Sequence, residues 1–553
     1  MHSNSTIVGR TLRIHPEDNV LVALAELHQG ELIDDGRAVV LRSDIPAKHK
    51  FVTRDLVVDD PVVMYGTLVG RATRAIAAGE VVTLANVRHD SAPARRRSQT
   101  LPKLEVDVSR WKAMTFFGYK RSDGQIGTRN YWLVLPLVFC ENRNIEALRQ
   151  AFIEELGYAS PSSYRATVAE LVRQLRAGRT KESEIHTHEV REKLERNRPF
   201  PNVDGIKFLT HQGGCGGTRD DARSLCGLLA GYIHHPNVAG ATVLSLGCQH
   251  AQVALLREEL EKRDQSLSKP VLIFDQQRAG TEAKLMSDAI RETFSGLVEV
   301  DNARRTPAPL SALTVGLKCG GSDGFSGISA NPTVGHVADK IAALGGKAIL
   351  SEFPELCGVE QELVDRCVSD EAASRFLSLM EAYQSRAQSV GSGFDMNPSP
   401  GNIRDGLVTD AMKSAGAAKK GGRSPINDVL DFPEYAVVPG LNLLCTPGND
   451  VESVTAQVGS GANIVLFTTG LGTPTGNPIA PVVKIASNSA LTERMPDIID
   501  FDCGPIISGE ANPESLSEEL LEMMLRVGSG ELKTKAELLG QDDFIPWKRG
   551  VSL

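Results

Sequence analysis

No stretch of this sequence approaches the length of a membrane-spanning helix, and the N-terminal "MHSNSTIVGRTLRIHPEDN" has no apolar signal core. Aromatic residues make up 5% of the chain, and 60 Lys and Arg are outnumbered by 69 Asp and Glu, for a net charge of −9. With no basic stripe interleaved with aromatics, nucleic acid is excluded as an expected partner. Cysteine is sparse: nine in 553 residues, an odd number, with no CxxC pair. That argues against a disulfide framework and against a zinc ribbon, and suits reduced thiols in a cytoplasm. Neither a P-loop nor a GxGxxG fingerprint is present, so nucleotide binding is unsupported. These exclusions leave a cytoplasmic globular enzyme acting on a small molecule.

What is present is length enough for two to four domains. Residues 11 to about 90 read as short strands broken by Gly, Pro and Asp, as in "DPVVMYGTLVGRATRAI" and "GEVVTLANV". This predicts a small β-rich domain over 1–92, followed by a polar, proline-bearing linker over 93–111. From "NYWLVLPLVF" onward, continuous apolar runs alternate with amphipathic helices: "YWLVLPLVF" with "NIEALRQAFIEEL", "IKFLT" with "DDARSLCGLLAGY", "ATVLSLG" with "AQVALLREELEKR", "PVLIFD" with "GTEAKLMSDAIRETF". Buried, non-alternating strands between helices predict a parallel sheet of βαβ units over 112–305. A charged helical insertion, roughly 163–198, has no evident role. A second α/β block over 306–553 begins with "LTVGLK" and continues through "GKAILSEF", "LNLLCTPG" and "NIVLFTTG".

The chemistry gathers after the strands. Cys140 follows the first strand of the middle block, His211 and Cys215 the second, Cys248 and His250 the third; Cys319 opens "CGGSDGFSG" after "LTVGLK". In open parallel sheets ligands bind at this carboxyl edge, so residues distant in sequence share a pocket there. The glycines of "THQGGCGGTRDD" let the backbone turn tightly and a bulky group approach. The helix starting near Thr218 aims its free N–H groups at the same loop, which favours thiolate at Cys215, the form that binds iron or zinc. Cys226 and Cys367 read instead as small buried hydrophobes. In the last block, Ser322, Asp323 and Ser326, then Asn402 and Arg404, then Thr468, Thr469, Thr473 and Thr475 occupy Gly-rich loops suited to a hydroxylated or anionic molecule. Lys413, Lys420 and Lys484 are candidates to pair with a substrate carboxylate. In the N-terminal domain the polar clusters are "RIHPEDN" and "AKHKF", the latter with His49 between Lys48 and Lys50.

The stretches "GYKRSDGQIGTRNYWLVLPLVFC", "THQGGCGG", "LGCQHAQ", "LKCGGSDGFSGISANPTVG", "NPSPGN", "KGGRSPINDVLDF" and "FTTGLGTPTGNPIAPVVKIASN" resemble the altronate/galactarate dehydratase family of sugar-acid hydro-lyases. "IHPEDNVLVAL", "KHK" and "YGTLVGRA" look like the SAF (β-clip) domain that precedes the catalytic region in that family. The resemblance covers nearly the whole chain. It implies dehydration of a C6 aldonate or aldarate to a 2-keto-3-deoxy acid, with dependence on iron or a similar divalent metal, manganese being the substitute. One element departs: where altronate-type members often carry His-x-His-Asn, this chain has Thr83, Ala85 and Asn86, so no metal or proton-transfer role of that His pair carries over.

Elimination of water from a 2,3-dihydroxy acid requires removing a weakly acidic proton next to a carboxylate and helping the 3-hydroxyl leave; metal, base and acid each lower the barrier. The expected metal ligands are Cys140, Cys215, Cys248 and Cys319. Three thiolates and an open position would suit an iron–sulfur cluster; mononuclear Fe(II) with His211 or His250 is the alternative. His211 is the favoured base if it is not a ligand. Asp323, Lys484 and His49 are further catalytic candidates, and Ser322, Asn402, Lys413, Thr468 and Thr469 are candidates to bind substrate. A homodimer is expected. Two other readings stand beside this one: a carbon–sulfur lyase acting on a sulfolactate-type acid, and a sugar-acid-binding protein without catalysis.

Overall fold

The apolar runs Tyr131–Pro136, Val238–Ser245, Thr314–Cys319 and Ile464–Thr469 are buried on both faces, the condition that makes them parallel strands rather than one-sided hairpins. The computed structural model describes residues 6–36, 38–92, 94–95, 97, 104–158, 163–176, 198–266 and 269–553. Of the charged insertion, the helix Ser163–Arg176 is described, and residues 177–197 lie outside the described set.

The N-terminal region is strand-rich and antiparallel. Thr6–Val8, Thr11–Arg13, Val20–Ala23 and Lys50–Val52 form one sheet, and Pro61–Met64, Thr67–Ala72 and Val87–Arg88 another. In the former His-x-His-Asn place, the Asn86 side chain accepts from the Thr83 N–H at 2.8 Å and donates to the Val81 carbonyl at 2.8 Å, so these residues close a turn.

Two parallel sheets follow. Tyr131–Pro136 lies between Gly205–Phe208 and Val238–Ser245, with Val271–Asp275 on the far side. The larger sheet has seven strands in the order Ile426–Leu430, Gly440–Leu444, Lys347–Leu350, Thr314–Cys319, Ile464–Thr469, Val482–Ala486, Phe501–Asp502, all parallel. Three of these strands escape a search for apolar runs, for local reasons. Ile426–Leu430 is broken by Asn427 and Asp428, Val482–Ala486 by the fully buried Lys484, and Phe501–Asp502 is two residues long.

The blocks are stitched together. Thr115–Lys120 pairs antiparallel with Arg305–Pro309, joining the two ends of the middle block. Trp111, at the end of the expected linker, is buried, and its indole N–H donates to Glu518 at 2.9 Å. One hydrophobic cluster runs from Val20, Val62 and Val69 of the β-domain into Phe325, Val408 and Met412 of the last block. The N-terminal domain therefore shares a core with the region bearing the Cys319 loop.

Candidate active site

The carboxyl edge of the seven-stranded sheet opens into a cleft of about 940 Å³, within the usual range for small-molecule sites. Its floor is a dense charge cluster. Lys318 and Cys319 end the central strand; Glu352 and Glu355 follow the next one. Lys318 pairs with Glu352 and, at 3.0 Å, with Asp450. Lys420 lies 2.7 Å from the other Glu352 oxygen and 2.6 Å from the Cys319 Sγ. Lys413 donates to Glu355 at 2.8 Å and to the Asn397 side-chain oxygen Oδ1 at 2.9 Å, and the Cys319 Sγ lies 3.4 Å from the second Glu355 oxygen.

Glu352 holds φ at +71°, a left-handed conformation that a side chain adopts only at a cost of about 1–2 kcal/mol. The two lysine partners and the Thr446 hydroxyl, which accepts from its N–H at 3.0 Å, fix it there. Burial favours a neutral Glu355, but Lys413, Lys318 and Lys420 outweigh burial and hold the carboxyl well below the usual carboxylate range. Burial, then Glu352, push the Cys319 thiol up to about 12 against the opposing charge of Lys420. Glu355, Lys413 and Cys319 all face the cleft. They give it a buried carboxylate and ammonium in contact, an ion pair that keeps both partners charged.

The four expected metal-binding thiols divide three and one. Cys319 belongs to this floor, while Cys140, Cys215 and Cys248 stand exposed at the edge of the smaller sheet. The loops of those three interlock: the Phe139 N–H donates to the Gly213 carbonyl at 3.1 Å and the Ala251 N–H to the Gly214 carbonyl at 2.9 Å. A Cβ on Gly214 would meet the Leu137 carbonyl at 2.2 Å, so glycine is required where the chains cross. Thr218 caps the following helix, Arg219–His234, with a capping box.

The three exposed thiols do not form a group of donor atoms within 4.8 Å of one another, as a single ion would need. Three thiolates together suit, by their softness, iron held as a cluster. Cys319, Glu352 and Glu355 are such a compact group, but Lys318, Lys413 and Lys420 already occupy their acceptors, where a cation would have to displace them.

The C-terminal segment connects the two edges. Trp547, Lys548 and Arg549 form one wall of the cleft. The Arg549 and Gly550 N–H groups donate to Asp221 at 3.0 and 2.9 Å, and the Leu553 N–H to the Gly216 carbonyl at 2.8 Å. The Lys548 Cε would lie 3.6 Å from a Cβ on Gly217. The Cys215 loop therefore borders the cleft.

Several expected residues serve the scaffold. His211 is buried, its Nε2 2.9 Å from the Pro136 carbonyl and its Nδ1 accepting from the Gly213 N–H at 3.1 Å. Both nitrogens are engaged with backbone, and burial lowers its pKa to about 4, so the ring pins the glycine loop. Asp323, fully buried, accepts on one oxygen from the Ser326 N–H and hydroxyl and the Ser487 hydroxyl at 2.8–2.9 Å; Lys48 lies 3.1 Å from the other. It anchors the loop to the strand end at Ser487 and to the N-terminal domain.

His49, half-buried 3.3 Å from the Ala47 carbonyl, does not line the cleft. Lys484 donates to the Thr475 carbonyl from beneath the cleft wall, and burial lowers it to about 8. Thr468 donates to Asn331 of the helix Ala330–Ala343 at 2.6 Å, and Thr469 supports the 470–476 loop by accepting from the Gly472 N–H at 2.9 Å. Asn402 lines the cleft and donates to the Ser322 carbonyl at 2.7 Å. Of the expected residues, Asn402, Lys413, Thr475 and Cys319 meet in the cleft. Glu352, Glu355, Lys318 and Asp450 were missed, although "GLK" and "SEFPEL" end strands and the same edge rule applies to them.

Comparisons with known proteins agree with this domain order. Residues 9–90 match the altronate/galactarate dehydratase SAF domain, 118–301 the second domain of D-galactarate dehydratase/altronate hydrolase, and 310–552 the C-terminal domain of D-galactarate/altronate dehydratase. Altronate dehydratases of Bacillus subtilis (strain 168) and Escherichia coli (strain K12) are 32% and 33% identical, each alignment covering 98% of this chain and 99% of the relative. Galactarate dehydratase (L-threo-forming) of Escherichia coli (strain K12) is 29% identical, covering 96% of this chain and 94% of the relative. The chain belongs to the altronate/galactarate dehydratase family of hydro-lyases.

Proposed function

We propose that the protein dehydrates a C6 sugar acid of the altronate or galactarate type to a 2-keto-3-deoxy acid, with the substrate in the cleft over Glu355 and Lys413. The observation that carries this reading is the Glu355–Lys413 pair, 2.8 Å apart, lining a cleft at the sheet edge of a family member. A sugar acid brings a carboxylate and a row of hydroxyls. Lys548 and Arg386, both exposed on the cleft, suit the carboxylate; Asn402 and the Ser399 turn suit hydroxyls. Glu355 takes the proton next to the substrate carboxylate, and Lys413 steadies the negative charge that then develops.

Iron held as a cluster by Cys140, Cys215 and Cys248 would supply Lewis acidity to a substrate oxygen. The chain's own part is to keep those thiols exposed beside the cleft and to shield the reacting carbons under Trp547.

The test uses protein purified without oxygen. Altronate, galactarate and a sulfolactate are offered separately, with keto-deoxy acid and sulfite both measured. Keto-deoxy acid from a sugar acid, lost in Glu355→Gln, supports the reading. Sulfite release, or saturable binding without turnover, overturns it. Iron and acid-labile sulfide are counted on the same sample; iron without sulfide would sink the cluster.

A further inference from the structure

A second donor group lies at the seam between the N-terminal β-domain and the last block. His89 follows the strand Val87–Arg88, Cys357 follows the turn Phe353–Leu356, and Asp410 begins the helix Asp410–Ala417. One ligand atom from each, an imidazole nitrogen, a thiol sulfur and a carboxylate oxygen, lies within 4.8 Å of the other two. Asp410 is 1% exposed; its Oδ2 meets no partner, and the side-chain hydrogen bond that its carboxyl does receive comes from Cys357, another member of the group. A carboxyl oxygen at that depth is costly until a donor or a cation meets it.

The nearest lysine on the same helix does not supply that charge: Lys413 gives its ammonium to Glu355 and Asn397. The Ala411 N–H, at 3.4 Å from the His89 Nδ1, steadies the ring at the start of the helix. His89 and Cys357 are half-buried, which leaves an ion a way in.

Nitrogen, sulfur and oxygen donors from three chain segments make a set of borderline softness. Magnesium and calcium take oxygen alone, whereas zinc and its tetrahedral relatives accept this mixture. We propose that His89, Cys357 and Asp410 hold a zinc-type divalent ion, with a water as fourth ligand. Binding releases the Cys357 thiol proton to solvent. The ion is structural. It fastens the end of the SAF domain to the helix carrying Lys413 and the turn carrying Glu355. Its ligands are distinct from the three exposed thiols and from the cleft floor, so it stands or falls independently of the proposed reaction.

Cobalt(II) is the probe, because a thiolate ligand gives it a near-ultraviolet charge-transfer band and tetrahedral geometry gives it intense visible bands. Chelator-stripped full-length protein is titrated without oxygen in a Cys140→Ser/Cys215→Ser/Cys248→Ser background. The expected result is one cobalt per chain with both bands, displaced by zinc. Cys357→Ser should remove the charge-transfer band, and His89→Ala or Asp410→Asn should weaken binding at least tenfold. No charge-transfer band, or one that survives Cys357→Ser, overturns the proposal. Should the triple variant not fold, alkylation of the parent protein decides: zinc should protect Cys357, and modification of Cys357 at the zinc-free rate overturns the site.

Discussion

The ammonium of Lys48, in the N-terminal domain, lies 3.1 Å from Asp323 and 2.9 Å from Asp405, on two loops that flank the cleft floor. Beside it Lys50, fully buried, donates to the Lys48 and Gly406 carbonyls at 2.9 and 2.7 Å, and burial lowers it to about 7. The "KHK" element thus fastens the SAF domain to the catalytic block. Lys48→Met leaves the fully buried Asp323 without its cation, which should cost about 3 kcal/mol. The check is urea unfolding followed by tryptophan fluorescence; an unchanged midpoint would show that the ion pair contributes nothing.

Glu355→Gln keeps the volume of the side chain and its contact with Lys413 but removes the proton acceptor. A general base contributes roughly 10²–10⁴-fold, so kcat should fall by about that factor. Far-ultraviolet circular dichroism should stay unchanged, and KM should move little. A variant retaining most of its turnover would remove Glu355 from the role of base.

What could be read from the sequence follows from which physical signals are local. Apolar runs such as "YWLVLPLVF" and "NIVLFTTG" sit in doubly covered strands, so burial alone announces them. "VVKIA" hides its strand because Lys484 is buried within it, held by the Thr475 carbonyl across a loop rather than by its neighbours in the strand. The three thiols of the smaller sheet were legible because each follows its own strand. The assignment of Cys319 to the same edge was not, since which sheet a strand joins depends on long-range pairing: Thr314–Cys319 pairs with Ile464–Thr469, about 150 residues on. The Glu352–Lys318–Lys420 cluster has the same origin, with partners 34 and 68 residues from Glu352.

Lys548 lines the cleft with its side chain exposed, and its ammonium donates to Ser552 at 2.6 Å. No buried group depends on it. Lys548→Ala should therefore raise KM for a sugar acid about tenfold, the equivalent of ~1.4 kcal/mol of lost binding, with kcat and thermal stability unchanged. Equal losses in kcat and kcat/KM would instead place Lys548 in the transition state.

Acid should loosen the glycine loop. His211 titrates near 4 in the fold because burial disfavours its charged form, with the hydrogen bond to Pro136 opposing, against an ordinary value of 6.5. His234, at about 4, and His235, at about 3, are lowered chiefly by burial as well. Between these values the unfolded chain binds more protons than the fold does, so stability rises with pH across the window. It is fully present above about pH 6.5 and is lost as pH falls toward 4. His211 alone accounts for about 3 kcal/mol of that loss. Urea midpoints measured from about pH 7 down to about pH 4.5 should fall steadily, and His211→Gln should flatten the slope by roughly a third, because two of the three buried imidazoles remain. A slope unchanged in the variant would mean that the His211 ring is solvated and does not pin the Gly213 turn.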